Sequence, residues 1–162
     1  MKILLKGLII IAALAIQLTL INLFTILGIK PDLIIVIVVI FSLLEGAKEG
    51  TISGFVSGLL QDIFSTGLLG INALVKTVIG FTCGTLKEKI FHEHILFLIP
   101  VITFIASLVQ SILFFLLLRA FGIEYGLVWS IKQVALPEAL YSSLLSPFIF
   151  LVVNKIFQMV KE

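Results

Sequence analysis

The sequence predicts an all-α, polytopic membrane bundle of about six helices, and three observations lead there. Of 162 residues, 60% are hydrophobic and only 12% are charged, about half the charge of a soluble domain. Two uncharged apolar runs, 7–27 and 95–118, reach the roughly 20 residues that an α-helical crossing needs. Lysines gather at alternate turns between the apolar runs, as in a chain that threads back and forth through a bilayer. This composition excludes a soluble enzyme. A net charge of +2 excludes a nucleic-acid reader, and a single cysteine, Cys83, excludes a disulfide scaffold. The whole chain, 1–162, reads as one transmembrane domain.

The first helix is expected over 7–28. Lys2, Lys6 and Ala13-Leu14-Ala15 imitate a secretory signal, but the apolar run continues well past that tripeptide, which suits an uncleaved anchor. Between Lys30 and Lys87 the runs are short, and helices over 31–44, 49–64 and 69–86 divide them best. The first two of these are too short to span a relaxed bilayer alone, so neighbours should shield them. A total of four or five helices would also fit. Helices over 95–118 and 133–157 complete the set, the last carrying Pro147, which neighbouring helices in a membrane bundle can tolerate. With six crossings, Lys2, Lys6, Lys48, Lys87, Lys89, Lys155 and Lys161 fall inside, against Lys30, Arg119 and Lys132 outside. Both termini are therefore expected in the cytoplasm. Tyr125 and Trp129 then lie at headgroup level beside the last outer loop.

The most informative segment runs from Gly46 to Asp62. Gly46, Gly50, Gly54 and Gly58 recur every fourth residue, and Asp62 takes the next place in the series. Residues four apart stack on one helix face, so this helix presents a glycine groove ending in a carboxylate. Glycine within a helix costs up to about 1 kcal/mol relative to alanine, which close backbone approach can offset in a membrane. The groove would pack either against another helix of this chain or against a partner's helix. Gly80 and Gly84 form a second small-residue pair, with Lys76 one turn earlier.

An ionisable group within a span usually faces a protein interior or a wet cavity. Lys76 is the nearest candidate partner for Asp62, and the pair reads either as part of an ion relay or, with Asp62 as an interfacial cap, as structure. The structural reading is preferred because no chain of further acids follows. Glu138 reads either as an outer-interface residue near Lys132 and Trp129, the preferred reading, or as a buried partner for another chain, and Gln17, Asn22, Gln110 and Asn154 read as polar glue between helices. His92-Glu93-His94 reads as a solvated loop, since side chains two apart on a helix diverge. No motif for a metal, a phosphate loop or a nucleophile elbow is present, and no cofactor is expected.

Several segments together resemble the rod shape-determining MreD family. They are Pro31-Asp32-Leu33, Gly46-Ala47-Lys48-Glu49-Gly50, Gly54 to Gly58 with Leu59-Leu60-Gln61-Asp62, and Gly67-Leu68-Leu69-Gly70-Ile71-Asn72-Ala73-Leu74. Leu86-Lys87-Glu88-Lys89, Leu136-Pro137-Glu138-Ala139-Leu140 and Pro147 follow in order, so the resemblance covers 31–157. Lys76 departs from it, standing where an apolar residue is expected. The resemblance implies a multi-pass protein of the bacterial cytoplasmic membrane, without catalysis of its own, that acts as a scaffold in the elongation complex for lateral peptidoglycan synthesis. The partners it implies are the bitopic protein MreC, actin-like MreB, a RodA-type glycosyltransferase and a class B penicillin-binding protein. It also implies a fold similar to the substrate-binding subunits of energy-coupling-factor vitamin transporters. The rival expectation is such a vitamin-binding subunit, with Lys30, Asp32, Asn72, Arg119, Glu124 and Lys132 as its polar groups.

Overall fold

The computed structural model describes residues 2–19, 30–65, 68–89, 95–123 and 131–159. These form six α-helices and no strand: α1 (Lys2–Thr19), α2 (Leu33–Glu45), α3 (Ala47–Phe64), α4 (Ile71–Thr85), α5 (Ile95–Ala120) and α6 (Leu136–Met159). A 3-10 turn, Lys87–Lys89, follows α4, and a π-helical turn, Ile131–Ala135, leads into α6. The stretches 95–120 and 131–159 are long and apolar enough to cross a membrane. At a rise of 1.5 Å per residue, α5 alone extends about 39 Å.

The shortest helix occupies the centre. Residues 34–43 of α2 are all buried, and α1, α3, α4, α5 and α6 pack around it. Ile34 to Ile40 are β-branched without interruption, a pattern that elsewhere favours a strand. A helix that is apolar all round is stable only inside protein or lipid, and five neighbours provide that surrounding here. Asp32 caps its start by accepting from the N–H groups of Ile34 (3.0 Å) and Ile35 (3.2 Å). Gly46 ends it with φ 100° and ψ −175°, a conformation open almost only to glycine. Because α3 begins at the next residue, this single glycine makes the whole corner between two helices.

On the far side, α5 and α6 pair through their prolines. Pro147 has no N–H for the carbonyl of Ser143, and the Ser146 hydroxyl donates to that carbonyl instead (2.7 Å). The Ser143 hydroxyl in turn donates to the carbonyl of Pro100 on α5 (2.8 Å). Phe41 of α2 stacks on Phe157 of α6 with ring centroids 5.5 Å apart. The outermost helix, α1, is tied near both ends by polar contacts. Lys6 forms ion pairs with Glu45 and Glu49, while the Gln17 amide reaches Asp32 (3.4 Å) and accepts from the Ile34 N–H (3.3 Å).

Candidate functional site

The glycine face of α3 meets α4 of the same chain. A Cβ at Gly50 would overlap the carbonyl oxygen of Gly80 and the Ser42 side chain, and one at Gly54 would overlap the carbonyl of Lys76. At Gly58 it would lie 2.6 Å from the Cα of Ala73, and at Gly84 it would strike the backbone of Ala47. Each step of four residues up α3 is matched by four down α4. The result is an antiparallel hairpin with backbones in direct contact, a separation that no side chain could occupy. The exposed positions of this hairpin instead include Ile52, Phe55, Val56, Leu74, Val78 and Phe81. A partner's helix therefore cannot use the Gly50, Gly54, Gly58 and Gly80 surface while this hairpin stands. Gly46 has a different part, as the positive-φ corner below the seam.

At the other end of the seam, Asp62 is buried and acts on the start of α4. Its Oδ2 accepts from the N–H groups of Gly70 (2.9 Å) and Ala73 (3.0 Å). Its Oδ1 accepts from the N–H (3.2 Å) and side-chain amide (2.8 Å) of Asn72. Backbone N–H groups at a helix start have no partner within the helix, and a carboxylate there also meets the positive end of the helix dipole. Asp62→Ala should cost about 1–2 kcal/mol, the usual loss of a capping side chain. Asp62→Asn should retain part of it. Thermal unfolding in detergent would check this order, and equal melting of all three proteins would show that the cap contributes nothing.

The expected pairing of Asp62 with Lys76 is not what forms. Asp62 directs both oxygens at α4 N–H groups, and Lys76 reaches across the bundle to Asp32, 44 residues earlier in the chain. Lys76 Nζ lies 2.8 Å from Asp32 Oδ2 and 2.8 Å from Gln110 Oε1, while Gln110 Nε2 donates to Asp32 Oδ2 at 2.8 Å. Ammonium, carboxylate and amide thus close a three-membered ring of hydrogen bonds. Lys76 is fully buried and Asp32 is 3% exposed. The Asp32 N–H donates to Ser142 Oγ of α6 (3.0 Å). With Gln17, the centre joins α1, α2, α4, α5 and α6, and among the described residues α3 places no side chain in it but abuts the Lys76 backbone at Gly54.

Glu138 lies close to this centre. It is half-buried at the start of α6 and within electrostatic reach of Asp32 and Lys76. Asn154 is half-buried on α6. Asn22, His92, Glu93, His94, Glu124, Tyr125 and Trp129 lie outside the described residues. Sequence reading had Gln17 and Gln110 as helix glue and Asp32 as a polar group of the rival vitamin-binding subunit, and missed Ser142. An aspartate directly before an unbroken apolar run is a capping signal that places Asp32 at a helix start. No sequence signal leads from Lys76 to a carboxylate so far upstream.

Chemically, this centre fixes helices rather than presenting a reactive group, since each atom of its charged ring bonds another member of the protein. No curated protein and no solved structure matches the chain, and the expected likeness to energy-coupling-factor subunits gains no support. The family model for the rod shape-determining protein MreD matches residues 1–160 of the 162. The chain belongs to the MreD family, structural membrane proteins that determine cell shape.

Proposed function

We propose that this protein is a multi-pass, non-enzymatic scaffold of the elongation complex in the bacterial cytoplasmic membrane, with both termini in the cytoplasm. In this reading it binds an MreC-type bitopic protein and so supports lateral peptidoglycan synthesis. Actin-like MreB, a RodA-type glycosyltransferase and a class B penicillin-binding protein are further members of the assembly. The observation that carries the reading is the family match over residues 1–160. The bundle is compatible with it: glycine faces and buried charges are occupied internally, which leaves an apolar exterior for lipid and for a partner's helix. The positive-inside distribution of lysines supports the orientation.

Mild detergent extraction of the tagged chain from its native membrane, followed by mass spectrometry, tests the reading. A retained bitopic protein with a large periplasmic region, together with cell-wall synthases, is the expected result. Extraction of an intact bundle that retains none of them would overturn the assignment of partners.

A further inference from the structure

Two hydroxyls of α5 stand apart from others in the bundle. Ser42, Thr77 and Ser111 each donate to the carbonyl four residues back, a common outlet for a hydroxyl within a helix. Thr103 Oγ1 and Ser107 Oγ are fully buried, and among the described residues neither has a hydrogen-bond partner. The buried Lys76 ammonium has an unused donor as well. Of its three N–H groups, among the described residues one goes to Asp32 and one to Gln110. We infer that one internal water molecule lies beside the charged ring, accepting the third N–H of Lys76 and hydrogen-bonded to Ser107 and Thr103. The inference does not depend on the scaffold reading above.

Helix geometry brings these groups together. At about 3.6 residues per turn, Thr103, Ser107 and Gln110 fall within roughly 60° of one another round α5. Residues four apart have Cβ atoms about 5–6 Å apart, a gap that a water with two bonds of about 2.8 Å can span. Helical side chains lean towards the N-terminus, so the Gln110 amide, with the ammonium it holds, comes down over the turn that carries Ser107. The bond from Ser143 to the Pro100 carbonyl sets α6 beside the same stretch of α5.

Charge and room select the occupant. Lys76 and Asp32 already balance each other, so an added cation would face the ammonium, and an added anion would face Asp32 and Glu138. A neutral molecule avoids both. It must accept from an ammonium and also bond two hydroxyls, each of which can donate or accept. Water does this, and about three hydrogen bonds is its usual number inside a protein. Neither hydroxyl has any exposure, which leaves no opening for a larger molecule. Left unpaired, each of these buried groups would carry the full penalty of its lost solvation.

The test is solution NMR of the methyl-labelled, otherwise deuterated protein in detergent micelles, reading nuclear Overhauser effects from water to methyl groups. A cross-peak is expected at the Thr103 methyl and none at the methyl groups of Ile40, which belongs to the apolar core. Assignment through bonds from the backbone makes this reading on the wild-type chain, with no variant required to fold. Thr103→Val, which keeps the shape and removes the hydroxyl, should lower the melting temperature by about 3 °C, the effect of losing roughly one hydrogen bond. Adding Ser107→Ala should lower it little further, because both substitutions remove bonds to the same water. A Thr103 methyl without a water cross-peak would overturn the inference. So would a melting temperature raised by Thr103→Val, the mark of a hydroxyl that bonds nothing, or additive losses, the mark of separate partners.

Discussion

Lys76→Met should lower the melting temperature of the purified protein by roughly 10 °C, corresponding to a loss of about 3–5 kcal/mol. The substitution nearly preserves volume and removes the cation that faces Asp32 at 2.8 Å, at a site with no exposure to solvent. What remains is a carboxylate held by Gln110, Gln17 and two N–H groups, with its charge uncompensated. Breaking a buried pair is far more damaging than replacing both partners. Asp32→Asn in the Lys76→Met background should therefore recover most of the loss, since asparagine can still cap α2. A double-mutant cycle of melting temperatures would measure that recovery. Simple additivity of the two substitutions would mean that the ammonium and the carboxylate do not interact.

Gly54→Leu should be as damaging, through the same residue. A side chain at Gly54 meets the carbonyl of Lys76, which is backbone and cannot rotate away. Overpacking against movable side chains costs typically about 1–3 kcal/mol, and a backbone obstacle places this variant at or beyond the top of that range. Separating α3 from α4 also moves the Lys76 amine away from Asp32 and Gln110. The effect of Gly54→Leu should consequently be smaller in a Lys76→Met background, because part of what it breaks is already absent. Gly7→Ala is the control: nothing lies within 4 Å of its added methyl, and helix propensity favours alanine by about 1 kcal/mol. Chromatographic monodispersity and melting of these variants in one detergent would check the order. A well-folded Gly54→Leu protein with wild-type melting would rule out direct backbone contact at that point.

Much of this architecture is legible in the hydropathy of the chain, and its limits follow from what hydropathy measures. The two long apolar runs are visible because water and lipid sort residues by polarity, and α5 begins at Ile95, the first residue of its run. The central position of α2 is not visible. Seven consecutive β-branched residues say that every face is apolar, and that is equally true of a helix in lipid and of one enclosed by five others. Glycine spacing identifies a face but not what that face meets; only the paired positions on α4 do so. Lys76 is the clearest failure. Proximity in sequence nominated Asp62, yet Asp62 is held by backbone donors that no side-chain pattern reveals, and the true counter-ion lies two helices back. Charge pairing across a bundle depends on helix arrangement, which the order of residues does not express.

The ring that joins Asp32, Lys76 and Gln110 has a consequence for biogenesis. A ribosome delivers its members in sequence order, so the anion emerges first, its cation 44 residues later and the bridging amide 34 residues after that. Until Lys76 arrives, the start of the central helix carries an unneutralised charge that hydrocarbon disfavours. The α3–α4 hairpin then brings in the compensating ammonium, and α5 and α6 enclose the pair. The innermost helix of the finished bundle is thus among the first to be synthesised, and its counter-charge comes only with the α3–α4 hairpin.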